Sequence, residues 1–129
     1  MNNKILLVMV LFFSLFILSC ASVKDDGNSG LAGIYAGVIP AADCPGISVV
    51  VILSANDTYK ITYQYIDRDD KLFVFTGTFS RDTASKLITL NSRELPAYYR
   101  VGPQSLIQLD MEGKEIKGEF AKMYILRKI

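Results

Sequence analysis

The chain has no histidine and no tryptophan, and only two cysteines. Without histidine it lacks the side chain most often used as a general base near neutral pH, which is also the commonest neutral metal ligand. It also has no Gly-x-Ser-x-Gly elbow and no phosphate-cradling glycine loop, and its acid pairs sit in no recognisable motif. A non-enzymatic role is expected, with no cofactor. No sign of charge dominates: Lys and Arg number 14 against 13 Asp and Glu. That balance excludes the basic footprint of a nucleic-acid binder. No apolar run reaches the roughly 20 residues of a membrane-spanning helix. Beyond residue 20, Gly, Pro and charge interrupt every window long enough for a stable helix.

What is present begins with Lys4 and an apolar run from Ile5 to Leu18, broken only by Ser14. One positive charge before a short apolar run is the layout of a secretory signal peptide. The run ends in Ile17-Leu18-Ser19-Cys20, which resembles a bacterial lipobox. Residues 1–19 are expected to be a lipoprotein signal peptide and Cys20 the lipid attachment point; the alternative is an ordinary signal peptide or anchor helix. Acyl chains give about 0.8 kcal/mol per buried CH₂, so two or three of them hold a protein firmly to a bilayer. Residues 20–30 are small and polar and read as a flexible tether. The expected location is the bacterial cell envelope, on the outer membrane, facing the periplasm or the cell surface. With Cys20 lipidated, Cys44 is the one remaining thiol, so no intramolecular disulfide is expected.

Residues 31–129 read as a single domain. Short apolar or alternating runs are separated by turn residues every 8–12 positions. The first strand is Gly33–Ile39, and Asp43-Cys44-Pro45-Gly46 breaks it, with Gly46 read as allowing φ > 0. Ile47 to Ser54 is almost continuously apolar and fits either a strand buried on both faces or a barrel stave. Thr58 to Ile66 alternates with a period of two, placing Tyr59, Ile61, Tyr63 and Tyr65 on one side. Lys71–Ser80, Lys86–Asn91, Ala97–Val101 and Ser105–Asp110 follow as strands, Glu115–Lys117 resumes briefly, and Phe120–Lys128 closes the chain. The fold class is all-β: a small antiparallel up-and-down barrel of about eight strands, with a small sandwich as the alternative.

Gly33-x-Tyr35-x-Gly37-x-Ile39-Pro40 followed by Ala42-Asp43-Cys44-Pro45-Gly46-Ile47 resembles the N-terminal domain of NlpE-type bacterial lipoproteins. Further matches are Asn56-Asp57-Thr58-Tyr59, Phe75-x-Gly77-x-Phe79, Tyr98-Tyr99-Arg100-Val101, Leu106-x-x-Leu109-Asp110-x-x-Gly113 and Tyr124-x-Leu126. The resemblance implies a lipocalin-like β-barrel linked to copper homeostasis and envelope-stress signalling, and here a single-domain member without the second barrel some members carry. It implies an envelope-stress or surface-sensing module, or adaptor, with a protein partner in the envelope. Two alternatives stand beside that: a lipocalin-like binder of a small apolar ligand, and a copper-homeostasis protein with weak metal binding. The family's motif is Cys-x-x-Cys, and this chain has Ala41 at its first position. Two thiolates so spaced can chelate a soft metal or form a redox disulfide; one alone does neither. Metal binding is therefore not expected.

Within Asp43, Cys44, Pro45 and Gly46, Cys44 reads as a small apolar plug for the turn, as a reactive or intermolecularly bridging thiol, or as a metal ligand. Tyr59, Tyr63 and Tyr65 are either packed core or the lining of a ligand pocket. Asp67-Arg68-Asp69-Asp70 lacks the glycine and terminal Glu of a calcium loop and reads as a hairpin tip. Arg100 is expected to pair with Asp110 across a turn.

Overall fold

Eight strands follow one another in chain order: β1 (Gly33–Ile39), β2 (Ile47–Leu53), β3 (Thr58–Tyr65), β4 (Leu72–Asp82), β5 (Leu87–Leu90), β6 (Tyr98–Gly102), β7 (Ser105–Gln108) and β8 (Ile125–Lys128). They are seen in a computed structural model that describes residues 30–129. The expected signal segment 1–19, Cys20 and all of the tether before Gly30 lie outside the described residues. Every strand pairs antiparallel with the next, and β8 returns to β1 through Tyr35↔Lys128 and Ala36↔Arg127. The sheet thus closes into a barrel and leaves no edge strand. The sandwich alternative does not hold.

Strand alternation sets the core, because successive side chains on a strand point to opposite faces. In β2, Val49, Val51 and Leu53 are buried inside while Ser48, Val50 and Ile52 are half-covered outside, so this apolar run is a stave. Tyr59 and Ile61 of β3, Phe79 of β4, Ile88 and Leu90 of β5, Tyr99 of β6, Leu106 of β7 and Leu126 of β8 join them in one cluster with Tyr35. Gly77 stands opposite Tyr59 in the β3–β4 register. A Cβ at Gly77 would lie 2.8 Å from the Tyr59 hydroxyl oxygen, so the missing side chain is what lets that ring fill the barrel.

Two sequence expectations are corrected. Gly46 is not among the positive-φ residues; it is required by close approach, since a Cβ there would meet Val38 Cγ1 at 2.6 Å. The segment Phe120–Lys128 is not one strand. A short 3₁₀ turn, Ala121–Tyr124, precedes β8. Gly118 at φ 108 reverses the chain, and the Ala121 and Met123 N–H groups bond the Gly118 and Phe120 carbonyls three residues back. Tyr124 thereby packs against the core. The brief Glu115 pairing is an isolated bridge to Leu109. Among the described residues no helix is long and apolar enough to cross a membrane.

Candidate functional site

An even-stranded meander that begins and ends on one side has two unlike ends. Residues 30–32, the 54–57, 83–86 and 103–104 turns and Ile129 gather at the end where the tether enters. The 40–46, 66–71, 91–97 and 109–124 connections gather at the far end.

The Asp43-Cys44-Pro45-Gly46 block lies at the far end and is fastened to the β3–β4 hairpin. The Ile66 N–H donates to the Gly46 carbonyl at 3.0 Å. Arg68 Nη1 donates to Asp43 Oδ2 at 3.0 Å, and its guanidinium lies 5.0 Å from the Tyr65 ring centre. Cys44 is half-buried and free; its thiol donates to the Gly46 carbonyl at 3.2 Å. Within this clamped loop Cys44 makes a local backbone contact, and Gly46 is a close-packing glycine. The charged tip is a hairpin tip whose Asp69 Oδ1 accepts from the Lys71 N–H at 2.9 Å.

The three tyrosines share one face, but they do different things. Tyr59 is buried core beneath Gly77. Tyr63 packs edge-on to Phe75, with ring centres 6.1 Å apart, and Tyr65 edge-on to Phe73 at 5.7 Å. Tyr59 and Tyr63 line neither the far-end groove of residues 64–70 nor the tether-end cleft described below. Tyr65 borders a groove of about 460 Å³ formed by residues 64–70.

One polar feature escaped the sequence reading. Tyr99 and Gln108 are register partners, both buried, and Tyr63 comes close to Tyr99 inside the barrel. The Tyr63 and Tyr99 hydroxyls lie close enough to interact with each other, but neither they nor Gln108 Oε1 meets hydrogen-bond geometry with a partner among the described residues. Burial pushes the Tyr99 hydroxyl well above the usual tyrosine range, with neighbouring Tyr63 adding to it. Burial also raises Tyr63. Only a three-dimensional register brings residues 63, 99 and 108 together, so no sequence signal announces the cluster.

The expected Arg100–Asp110 pair does not form. Arg100 pairs with Glu115, because the Leu109↔Glu115 bridge carries that carboxylate across. Asp110 instead holds its own turn, its Oδ1 accepting from the Glu112 and Lys114 N–H groups at 2.9 Å each. Those backbone donors, the Lys114 N–H foremost, keep the Asp110 carboxyl below its ordinary range.

The residues present do not suit a copper ion. Ala41 offers no ligand, the Cys44 thiol is directed to a carbonyl, and Asp43 is engaged by Arg68. No group of three or more His, Cys, Asp or Glu side chains suited to a metal occurs among the described residues.

A second feature missed in the sequence is a cleft of about 480 Å³ at the tether end. Leu31, Leu87, Ile88 and Val101 line it, with Arg81 and Lys86 at its rim. Arg81 and Lys128 occupy inward-facing positions at the ends of β4 and β8, where strand alternation alone would place core residues. Both instead sit at the barrel mouth. Arg81 Nη2 donates to Asp57 Oδ1 at 2.7 Å, and Lys128 Nζ donates to the Gly30 carbonyl at 2.8 Å.

Residues 35–119 match the family model of the NlpE N-terminal domain. The lipoprotein NlpE of Escherichia coli K12 is 34% identical over 88 residues, which is 67% of this chain and 37% of that protein. The chain therefore spans little more than a third of the length of this curated relative. The crystal structure of a lipoprotein from Shewanella oneidensis is similar with a TM-score of 0.67 at 36% identity, over 75% of this chain and 87% of that one. The crystal structure of the Cpx pathway activator NlpE from E. coli is similar with a TM-score of 0.58 at 31% identity, over 68% and 47% of the two chains.

Proposed function

Because the chain belongs to the NlpE N-terminal domain family, we propose that it is a lipid-anchored envelope lipoprotein whose barrel works as a stress-sensing or adaptor module through protein contacts. The observation that carries this reading is the family match over residues 35–119 together with the structural similarity of this barrel to the two solved relatives. One of those relatives is described as an activator of the Cpx pathway, which makes a stress-signalling partner the first to test. The geometry supports a contact role. The family block sits on the loop-rich end, opposite the tether, and is held to the β3–β4 hairpin by Arg68 and the Ile66 N–H. A fastened, solvent-facing loop end is a suitable surface for a protein partner. No catalytic role is assigned, and with Ala41 in place of a cysteine the copper reading gains no support.

Lipid attachment at Cys20 gives the module its location without a membrane-spanning helix. Three measurements test the proposal. Globomycin treatment, or Cys20→Ser, is expected to block processing and abolish partition into membranes of the mature form; unchanged processing and partition would overturn the anchoring. Crosslinking in intact envelopes followed by pull-down is expected to recover a two-component sensor kinase. In E. coli lacking its own NlpE, overexpression is expected to raise a Cpx-dependent reporter. A silent reporter and a pull-down without a sensor kinase would overturn the signalling role.

A further inference from the structure

The two ends of the barrel differ in charge. The far-end connections 40–46, 66–71, 91–97 and 109–124 carry nine acids against six bases. The tether end has Arg81, Lys86, Arg127 and Lys128 against Asp57 and Asp82. Both of those carboxylates are engaged. Asp57 accepts from Arg81, and Asp82 accepts from the Ala84 N–H at 3.0 Å and the Ser85 hydroxyl at 2.8 Å within its own turn. Lys86 forms no ion pair among the described residues. Its carbonyl accepts from the Val101 N–H at 2.8 Å, which fixes the backbone of the turn that displays it.

Of these cations Arg81 and Lys86 line the 480 Å³ cleft, beside Asp82 and its apolar wall. Gly30 and Leu31 also line the cleft, and the Tyr35 hydroxyl donates to the Leu31 carbonyl at 2.7 Å, pinning the point of departure. The ten residues back to Cys20 span at most about 35 Å. A lipid anchor therefore joins the barrel to the bilayer through this end. Apolar groups stand beside the cations: Ile129 is 80% exposed, and its N–H is held by the Ile34 carbonyl at 2.9 Å.

We propose that the tether-end mouth docks on the bilayer that holds the anchor and takes the headgroup of an anionic phospholipid. The lipid phosphate lies against Lys86 and Arg81, and the adjoining acyl carbons lie against Leu31, Leu87, Ile88 and Val101. The orientation rests on the anchored reading above; the lipid chemistry does not. An anionic surface attracts each nearby Lys or Arg by about 1 kcal/mol, which is about fivefold in affinity per cation.

The test uses the full chain mixed with vesicles at millimolar lipid, made of phosphatidylcholine with or without phosphatidylglycerol. Amide hydrogen exchange is followed in the 83–86 and 103–104 turns and in the 67–70 tip. Phosphatidylglycerol is expected to slow exchange in the first two and leave the third unchanged, with the effect weakened by added salt. Lys86→Gln, a change in an exposed turn, is expected to raise the lipid concentration needed about fivefold. Equal protection with both lipids, protection at the far end, or an unshifted Lys86→Gln titration would overturn the proposal. Protection reproduced by inorganic phosphate alone would overturn the lipid part of it. Flotation of wild type and Cys20→Ser with neutral vesicles reports the anchor separately. A chain that fails to float disproves the anchor, while the exchange readout in added phosphatidylglycerol still decides the docking.

Discussion

At the scale of single residues, the buried tyrosines and the lone thiol are where chemistry and packing diverge most. The Tyr99 side chain is almost fully buried, yet its hydroxyl, close to that of Tyr63, makes no well-formed hydrogen bond among the described residues. An unsatisfied buried hydroxyl keeps its desolvation cost, and removing it is close to neutral or stabilising. Tyr99→Phe should equal wild type near pH 7 or exceed it by up to about 1 kcal/mol in urea unfolding. The alkaline limb follows from the same burial. Tyr99 and Tyr63 are raised in the fold, so the unfolded chain loses these protons first, near pH 10. Their contribution is whole below pH 10 and is lost as the pH climbs toward the folded values. Tyr99→Phe should therefore flatten the loss of stability above pH 10. A destabilisation of more than about 1 kcal/mol at pH 7 would mean that the hydroxyl is bonded after all. For Cys44 the prediction is small. Its polar contact among the described residues is the weak thiol bond to the Gly46 carbonyl at 3.2 Å, so Cys44→Ala should cost less than about 1 kcal/mol and leave Cu(I) titration unaltered. A Cu(I) affinity that collapses in the variant would restore the metal reading.

At the scale of elements, the turns carry the strain and the strands carry the legibility. Asp57, Asp67, Lys86 and Gln104 all adopt positive φ, one in each of four hairpin connections. Aspartate tolerates this conformation through local hydrogen bonds, whereas glutamine gains nothing from it. Gln104 at φ 48 follows Pro103 in the two-residue β6–β7 loop, the φ signs of a type II turn, whose third position favours glycine. Gln104→Gly should raise stability by about 0.5–1 kcal/mol, read as a shifted midpoint with an unchanged denaturant slope. β1 through β4 were legible because their alternation is uninterrupted: Tyr59, Ile61, Tyr63 and Tyr65 do share a face, and Gly33–Ile39 is the first strand from end to end. The chain after Leu109 was less legible. There the Gly118 reversal and the 3₁₀ turn have no periodic signature. Partnerships set by register stayed hidden for a related reason. Arg100 found Glu115 rather than Asp110 because a one-residue bridge at Leu109 decides which carboxylate crosses. The mouth cations were hidden because Arg81 and Lys128 continue inward-facing rows past the point where the interior ends.

At the scale of the whole molecule, closure is uneven. β1–β2, β2–β3 and β3–β4 each pair over seven positions. The seam that closes the barrel pairs β8 with β1 at two positions and with β7 at three. Backbone bonds exchange from whichever opening costs least, and an opening that exposes fewer ladder bonds and less apolar surface costs less. Native-state hydrogen exchange should therefore find the amides of Val49–Val51 and Ile61 the slowest, exchanging by global unfolding. The Tyr35–Lys128 seam should open first, at lower denaturant. Leu126 opposes that opening, since it is fully buried on β8 and packs within 2.8 Å of a Cβ built at Gly37. Leu126→Ala removes this latch and should cost about 2–5 kcal/mol. It should also bare the facing edges of β1 and β7, which are templates for pairing with another chain. The measurable consequence is concentration-dependent association of the variant during partial unfolding, seen by light scattering, with the wild type remaining monodisperse. Uniform exchange across all eight strands, with no early seam, would mean that the barrel opens only as a unit and that the short β8 ladder is as secure as the long hairpins.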